Sequence, residues 1–188
     1  MLNPWYAKAI IMVVIWAPYG KHSRTTPVAK SRKGTLEIIL LTIAWIAFFM
    51  PLIWRVTPLF EFADYPLYPI PFVTGIVCLV IGLWLFHRSH RDLGTNWSIT
   101  LQMREKHQLI THGLSRWVSH PMYLALLIYS VGQGLVLPNW LVGPSYGTAM
   151  LLLIVFRLGP EDRMMIEAFG KDYEVYQARS KLLIPGVW

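Results

Sequence analysis

Charge is scarce in this chain. Asp, Glu, Lys and Arg together make 14% of its 188 residues, whereas soluble domains carry roughly 25%. With 55% hydrophobic residues and a mean hydropathy of +0.44, an ordinary water-soluble domain is excluded. Cysteine is nearly absent: Cys78 stands alone inside an apolar run, so neither a disulfide framework nor a thiolate metal site can be built. Acids are the scarcer charge, 10 against 17 bases, for a net charge of +7. The bases lie in loops between apolar runs, a pattern that marks membrane orientation rather than nucleic-acid binding. No GxGxxG turn occurs, which removes the soluble dinucleotide-binding fingerprint. No repeat or low-complexity segment is present. Beyond Lys8 the N-terminus lacks a basic lead-in and a small-residue cleavage site, so no cleaved signal peptide is expected. By length, residues 1–188 form a single domain.

Long apolar runs are what the chain does have. Five segments are read as membrane spans: Trp5 to Tyr19, Leu36 to Trp54, Ile70 to Phe86, Met122 to Leu137 and Leu141 to Phe156. The fourth and fifth, joined by Pro138-Asn139-Trp140, form a helical hairpin. Several fall short of the roughly 20 residues that cross hydrocarbon comfortably, so local thinning or burial against neighbours is expected. Gly132 and Gly134 sit inside the fourth span, where small residues permit close helix packing. Beyond the fifth span, Glu161 to Tyr176 reads as an amphipathic helix presenting Met164, Met165, Ala168, Phe169, Tyr173 and Tyr176. The fold class is therefore an all-α polytopic membrane protein. Lys21, Arg24, Lys30, Arg32 and Lys33 in the first loop, with the basic third loop and tail, place these on the cytosolic side and the N-terminus outside.

Ionisable chemistry concentrates between the third and fourth spans, where Glu105, His107, His112, Arg116 and His120 precede Pro121. Such residues beside a bilayer are costly to keep and mark a site. His87 and His90 form an HxxH pair, but the six histidines are too few and too spread for a di-iron histidine-box centre. No metal is expected. Arg157 and Glu161 lie one helical turn apart at the end of the fifth span, with Gly159 and Pro160 between them expected to bend or end the helix. Two readings stay open for this pair: an arginine snorkelling to water beside an acid, or a guanidinium fork for the polar head of a substrate.

The run from His107 through Leu109, His112 and Gly113 to Arg116, followed by His120-Pro121-Met122-Tyr123, resembles the signature of the isoprenylcysteine carboxyl methyltransferase and phospholipid methyltransferase superfamily. Arg157 with Glu161-Asp162, then Phe169-Gly170 and Tyr173 to Tyr176, then Leu183 to Gly186, continue the pattern, so the likeness covers residues 92–188. The chain departs from it at Ser119, where the family carries arginine, and at Ser115, where tyrosine is frequent. Restoring arginine at Ser119 is expected to leave cofactor affinity unchanged or tighter.

The resemblance implies an integral membrane enzyme that uses S-adenosylmethionine. It implies that His107, Gln108, Leu109 and Ile110 wrap the cofactor, that Gly113, Ser115, His120, Pro121, Met122 and Tyr123 belong to the same pocket, and that Arg157 and Glu161 are the catalytic and substrate-binding residues. Methyl transfer to a lipophilic acceptor, at a carboxyl oxygen, is the expected reaction. Transfer to a phospholipid amine or a thiol on the same fold, and a non-catalytic membrane protein, are the alternatives. The expected setting is the cytoplasmic membrane of a prokaryote, with the site facing the cytosol and the acceptor entering from the bilayer.

Overall fold

A computed structural model describes residues 28–31, 34–94, 102–104 and 109–183. The first expected span, Trp5 to Tyr19, lies outside the described residues. The other four are helices: α1 (Thr35–Val56), α2 (Pro69–Leu93), α3 (Pro121–Val136) and α4 (Val142–Phe169), followed by a short α5 (Lys171–Arg179). Three of them, α1, α2 and α4, are long and apolar enough to cross a membrane. A two-stranded antiparallel ribbon, β1 (Val28–Ser31) with β2 (Gln102–Arg104), is the one departure from helix-and-turn among the described residues.

The helices pack in the order α1, α4, α3, α2. Each outer helix shows lipid one face and the bundle the other. On α1 the buried stripe is Glu37, Leu40, Ala44, Ala47 and Pro51, the spacing of one helical face, while Ile39, Ile46 and Phe49 stay exposed. Exposed side chains of this size on successive turns belong against hydrocarbon, not water. The α2–α3 contact is made by small residues. A Cβ on Gly82 would stand 2.8 Å from the Tyr129 backbone, and one on Gly132 would stand 2.7 Å from the Leu79 nitrogen. Gly132 thus performs the packing role expected of it; Gly134 instead faces Gly143 of α4 at 3.6 Å.

Sixteen residues make α3 only about 24 Å long. It sits centrally between α2 and α4, so its shortness is met by neighbours rather than by lipid. The turn after it is held by Asn139, which is fully buried. Its Nδ2 donates to Phe60 O at 2.7 Å and Asp64 Oδ1 at 2.6 Å, and its Oδ1 accepts from the Leu141 and Val142 amides at 3.0 and 2.8 Å. Asn139 therefore caps α4 and pins the 3₁₀ turn Pro58–Ala63 to the hairpin.

Two expectations about the last segment need correction. The helix does not break at Gly159 and Pro160 but runs through to Phe169. Proline removes one backbone bond, to the carbonyl four residues earlier, and the helix continues past that local loss with Arg157, Leu158 and Met164 buried on either side of it. The break falls at Gly170, whose φ of +54° lies in the left-handed region open to glycine. Glu161 to Tyr176 is therefore not one amphipathic helix. Its first part is the end of α4, its second is α5, and Ala168 is exposed rather than on the buried face.

Candidate functional site

One end of the bundle gathers the start of α1, the end of α2, the start of α3 and the last third of α4. The approach to α3 is shaped by Asp92 near the end of α2. Its Oδ2 accepts the Leu114 amide at 3.0 Å, and Arg88 Nε stands 3.4 Å from its other oxygen. Gly113 makes this clasp possible: its φ is +63°, and a Cβ there would lie 2.1 Å from Asp92 Oδ2. The chain then forms a 3₁₀ turn, Gly113–Arg116, before Pro121 starts α3. Proline suits that first position because the missing N–H would have had no helical partner.

The end of the chain is laced to this turn. Val118 and Lys181 form a parallel bridge; the Ser119 amide donates to Lys181 O at 2.7 Å, and the Lys181 amide donates to Trp117 O at 3.1 Å. Ser119 Oγ and Ser180 Oγ are 2.7 Å apart. Tyr176 on α5 donates to the Ser115 carbonyl at 2.7 Å. Burial pushes the Tyr176 phenol above its ordinary range, so it stays protonated and remains a donor.

The charged centre stands beside this lacing. His120 Nε2 donates to Asp162 Oδ1 at 3.2 Å, and its Nδ1 is 4.0 Å from Glu161 Oε1. The His120 and Tyr123 rings stack with centroids 5.4 Å apart. Tyr123 donates its hydroxyl to Glu161 Oε2. That same carboxylate oxygen is 3.6 Å from Arg157 Nε, and Arg157 Nη1 is 3.8 Å from Glu37 Oε1 on α1. Separations of 3.6–3.8 Å are ion pairs rather than well-formed hydrogen bonds. Asp162 is fixed further by Tyr173, which donates to Oδ1 at 2.5 Å, and by Gln177, which donates to Oδ2 at 3.1 Å. Burial first, and then the neighbouring Asp162 carboxylate, hold the Tyr173 phenol far above its ordinary range.

Of the site residues expected from sequence, His120, Tyr123, Arg157 and Glu161 converge in one cluster. Pro121 is the first residue of α3, and Met122 is half-buried beside it. Leu109 and Ile110 are half-buried in the stretch leading into the turn. Gly113 and Ser115 hold the architecture together through Asp92 and Tyr176. His107 and Gln108 lie outside the described residues. Sequence reasoning missed Glu37, Asp92, Tyr173, Gln177 and Ser180, and gave Asp162 no role in the site. Glu37 carried a signal, an acid at the start of an apolar span, since charges there are expensive. The two readings of Arg157 are now separable in one respect. The residue is 9% exposed and lies between carboxylates of two helices, so it does not snorkel to water. Among the described residues no three His, Cys, Asp or Glu side chains come together to hold a metal.

An open groove of about 460 Å³ runs along the seam of α1 and α4, nearer the other end of the bundle. Ile43, Ile46, Met50, Leu141 and Leu152 line it, and none of its lining residues is ionisable. The pair Glu37–Arg157 stands on the same seam.

Comparison with known proteins gives the chain a family and a shared fold. The model of the isoprenylcysteine carboxyl methyltransferase (ICMT) family matches residues 73–167, half of the chain. A protein-S-isoprenylcysteine O-methyltransferase of Tribolium castaneum is 29% identical over 113 residues, covering 59% of this chain and 40% of that protein. Its Dictyostelium discoideum counterpart is 28% identical, with 60% and 48% covered, and the Homo sapiens one is 29% identical, with 60% and 40% covered. The chain spans less than half the length of these relatives. A solved structure of the eukaryotic intramembrane Ras methyltransferase ICMT superposes with a TM-score of 0.57 at 24% identity, over 83% of this chain and 54% of that one. That superposition shows a shared fold. The fold and the apolar helices make this an integral, multi-pass membrane protein. The chain belongs to the isoprenylcysteine carboxyl methyltransferase family.

Proposed function

We propose that this protein is an S-adenosylmethionine-dependent methyltransferase acting at a carboxyl oxygen of a lipophilic acceptor of the S-isoprenylcysteine kind, with residues 1–188 working as one domain. The observation that carries the reading is the hydrogen bond from Tyr123 to Glu161. It joins the residues assigned to the cofactor, His120 to Tyr123, to those assigned to the acceptor, Arg157 and Glu161. A methyl group passes in line between two molecules, so their binding groups have to meet.

The donor set suits the cofactor. Glu161 and Asp162 outnumber the one guanidinium beside them, and the stacked His120 and Tyr123 rings offer π-faces; both favour a sulfonium cation. When bound, S-adenosylmethionine supplies an electrophilic methyl, its C–S bond breaking as the acceptor oxygen forms the new bond. Arg157 binds the acceptor carboxylate and aligns it, in the planar geometry a guanidinium offers to two oxygens. Glu161 and Tyr123 fix the direction of that guanidinium. The fold-back of α5 covers part of the cluster, through Tyr173 on Asp162 and Tyr176 on the Ser115 carbonyl. The apolar seam of α1 and α4 suits the tail, and the bases of the first loop support a site facing the cytosol.

The test is to incubate purified protein in lipid nanodiscs with radiolabelled S-adenosylmethionine and N-acetyl-S-farnesylcysteine. Base-labile label in the lipid fraction, the signature of a methyl ester, is expected. Base-stable label in amine lipids, or calorimetric titration showing no cofactor binding, refutes the reading.

A further inference from the structure

We infer that Glu37, on α1, is a positioning residue for Arg157 and thereby sets the affinity of the acceptor; the inference rests on the functional reading above. Three observations carry it. First, Glu37 and Arg157 are both buried, 8% and 9% exposed, and paired at 3.8 Å across two helices far apart in sequence. Second, the guanidinium is held at two different nitrogens. Glu37 takes Nη1 from α1, while Glu161 takes Nε from its own helix one turn on. A single carboxylate leaves a guanidinium free to swing about the contact; two on different sides of it limit that swing. Third, the pair stands on the seam of α1 and α4 that also carries the apolar groove. Ile43, among the residues lining that groove, lies six residues beyond Glu37 on α1, a rise of about 9 Å.

A charged side chain is not needed to pack α1 against α4, since Leu40, Ala44 and Ala47 already do so. Burying a carboxylate and a guanidinium for packing alone is a poor bargain beside an apolar pair of the same volume. The geometry instead makes α1 part of the acceptor side and gives Glu37 no role toward the cofactor.

The experiment compares wild type with Glu37→Gln and Glu37→Asp in nanodiscs, each measured for acceptor KM, kcat, cofactor Kd and unfolding temperature. Glu37→Gln is expected to raise the KM for N-acetyl-S-farnesylcysteine on the order of tenfold, with kcat and cofactor Kd within about threefold. Glu37→Asp, which keeps the charge on a shorter stem, is expected to recover part of that loss, and it serves alone if the Gln variant does not fold. In an Arg157→Lys background Glu37→Gln is expected to add little, because the two changes act on one interaction. An unchanged KM in a folded Gln variant overturns the inference even if its unfolding temperature falls. So does full additivity with Arg157→Lys, or an equal loss of cofactor affinity. A wild type that binds the cofactor but transfers no methyl overturns the functional reading and, with it, this inference.

Discussion

Replacing Arg157 tests the site most directly. The guanidinium is buried and faces Glu37 at 3.8 Å and Glu161 at 3.6 Å, with Tyr123 donating to the same Glu161 oxygen. Arg157→Ala strands two carboxylates. Breaking a fully buried pair costs about 3–5 kcal/mol, but the Glu161 side chain is 29% exposed and is rehydrated at lower cost. A loss nearer 2–3 kcal/mol follows, which for a chain of this size lowers the unfolding temperature by roughly 5–10 °C. Alanine therefore confounds folding with function. Arg157→Lys separates them. The ammonium keeps the charge and most of the stability but cannot present a planar fork, so turnover should fall about 100-fold or more. Cofactor affinity should stay within about threefold. Unfolding scans, methyl-ester formation and calorimetry on the same nanodisc preparation measure all three. Turnover of the Lys variant within threefold of wild type refutes the fork. Loss of cofactor binding in that folded variant moves Arg157 to the cofactor side.

Three further outcomes follow from contacts outside that pair. Gly113→Ala adds a Cβ 2.1 Å from Asp92 Oδ2 at a φ of +63° and should cost about 2–4 kcal/mol by thermal unfolding; Asp92→Ala should relieve part of it, and simple additivity would show the clasp to be unimportant. Asn139→Ala removes the cap and the link to Phe60 and Asp64, for about 2–4 kcal/mol of stability, while turnover per folded molecule is unchanged because the residue lies at the opposite end of the bundle. Ser119→Arg, expected from family likeness to be neutral or tightening, breaks the 2.7 Å contact with Ser180 and should weaken cofactor affinity several-fold by displacing residues 180–183; tighter binding in calorimetry refutes that lacing.

How much of this was legible in the sequence depends on what kind of interaction writes each part. Hydropathy writes spans, so α1 to α4 were read from apolar runs, with ends misplaced where polar residues continue the helix. His87, His90 and Asp92 lie within α2, and Glu161 to Glu167 lie within α4. Proline misled at Pro160 because propensity is local, whereas buried residues on both sides of it fix α4. The pairing of α1 with α4 and α2 with α3 was not legible, since it depends on which apolar faces fit, as Gly82 fits the Tyr129 backbone. The motif names His120 to Tyr123, and Arg157 with Glu161, as candidates, but the bond joining Tyr123 to Glu161 spans 38 residues of chain and no spacing rule predicts it. Asp92 and Leu114, 22 residues apart, escaped for the same reason.

The lengths of the helices explain why charge gathers where it does. In the hairpin, α3 has 16 residues and α4 has 28, so α4 outlasts its partner. Its residues beyond Arg157 lie level with the start of α3, as the contacts of His120 and Tyr123 with Asp162 and Glu161 require. A helix end leaves backbone groups unsatisfied, and the start of α3 therefore needs polar surroundings. The overhang of α4 supplies them, and Gly170 turns α5 back so that Tyr173 and Gln177 return to Asp162. Each charged group is thereby met from more than one element: Glu161 from α3 and α4, Asp162 from α5 and the residue before α3, and Arg157 from α1 and α4. Neither α1 nor α4 can leave without stranding a buried charge of the Glu37–Arg157 pair. The arrangement that makes the cluster costly to break also holds its geometry fixed, which the proposed methyl transfer, working by positioning, requires.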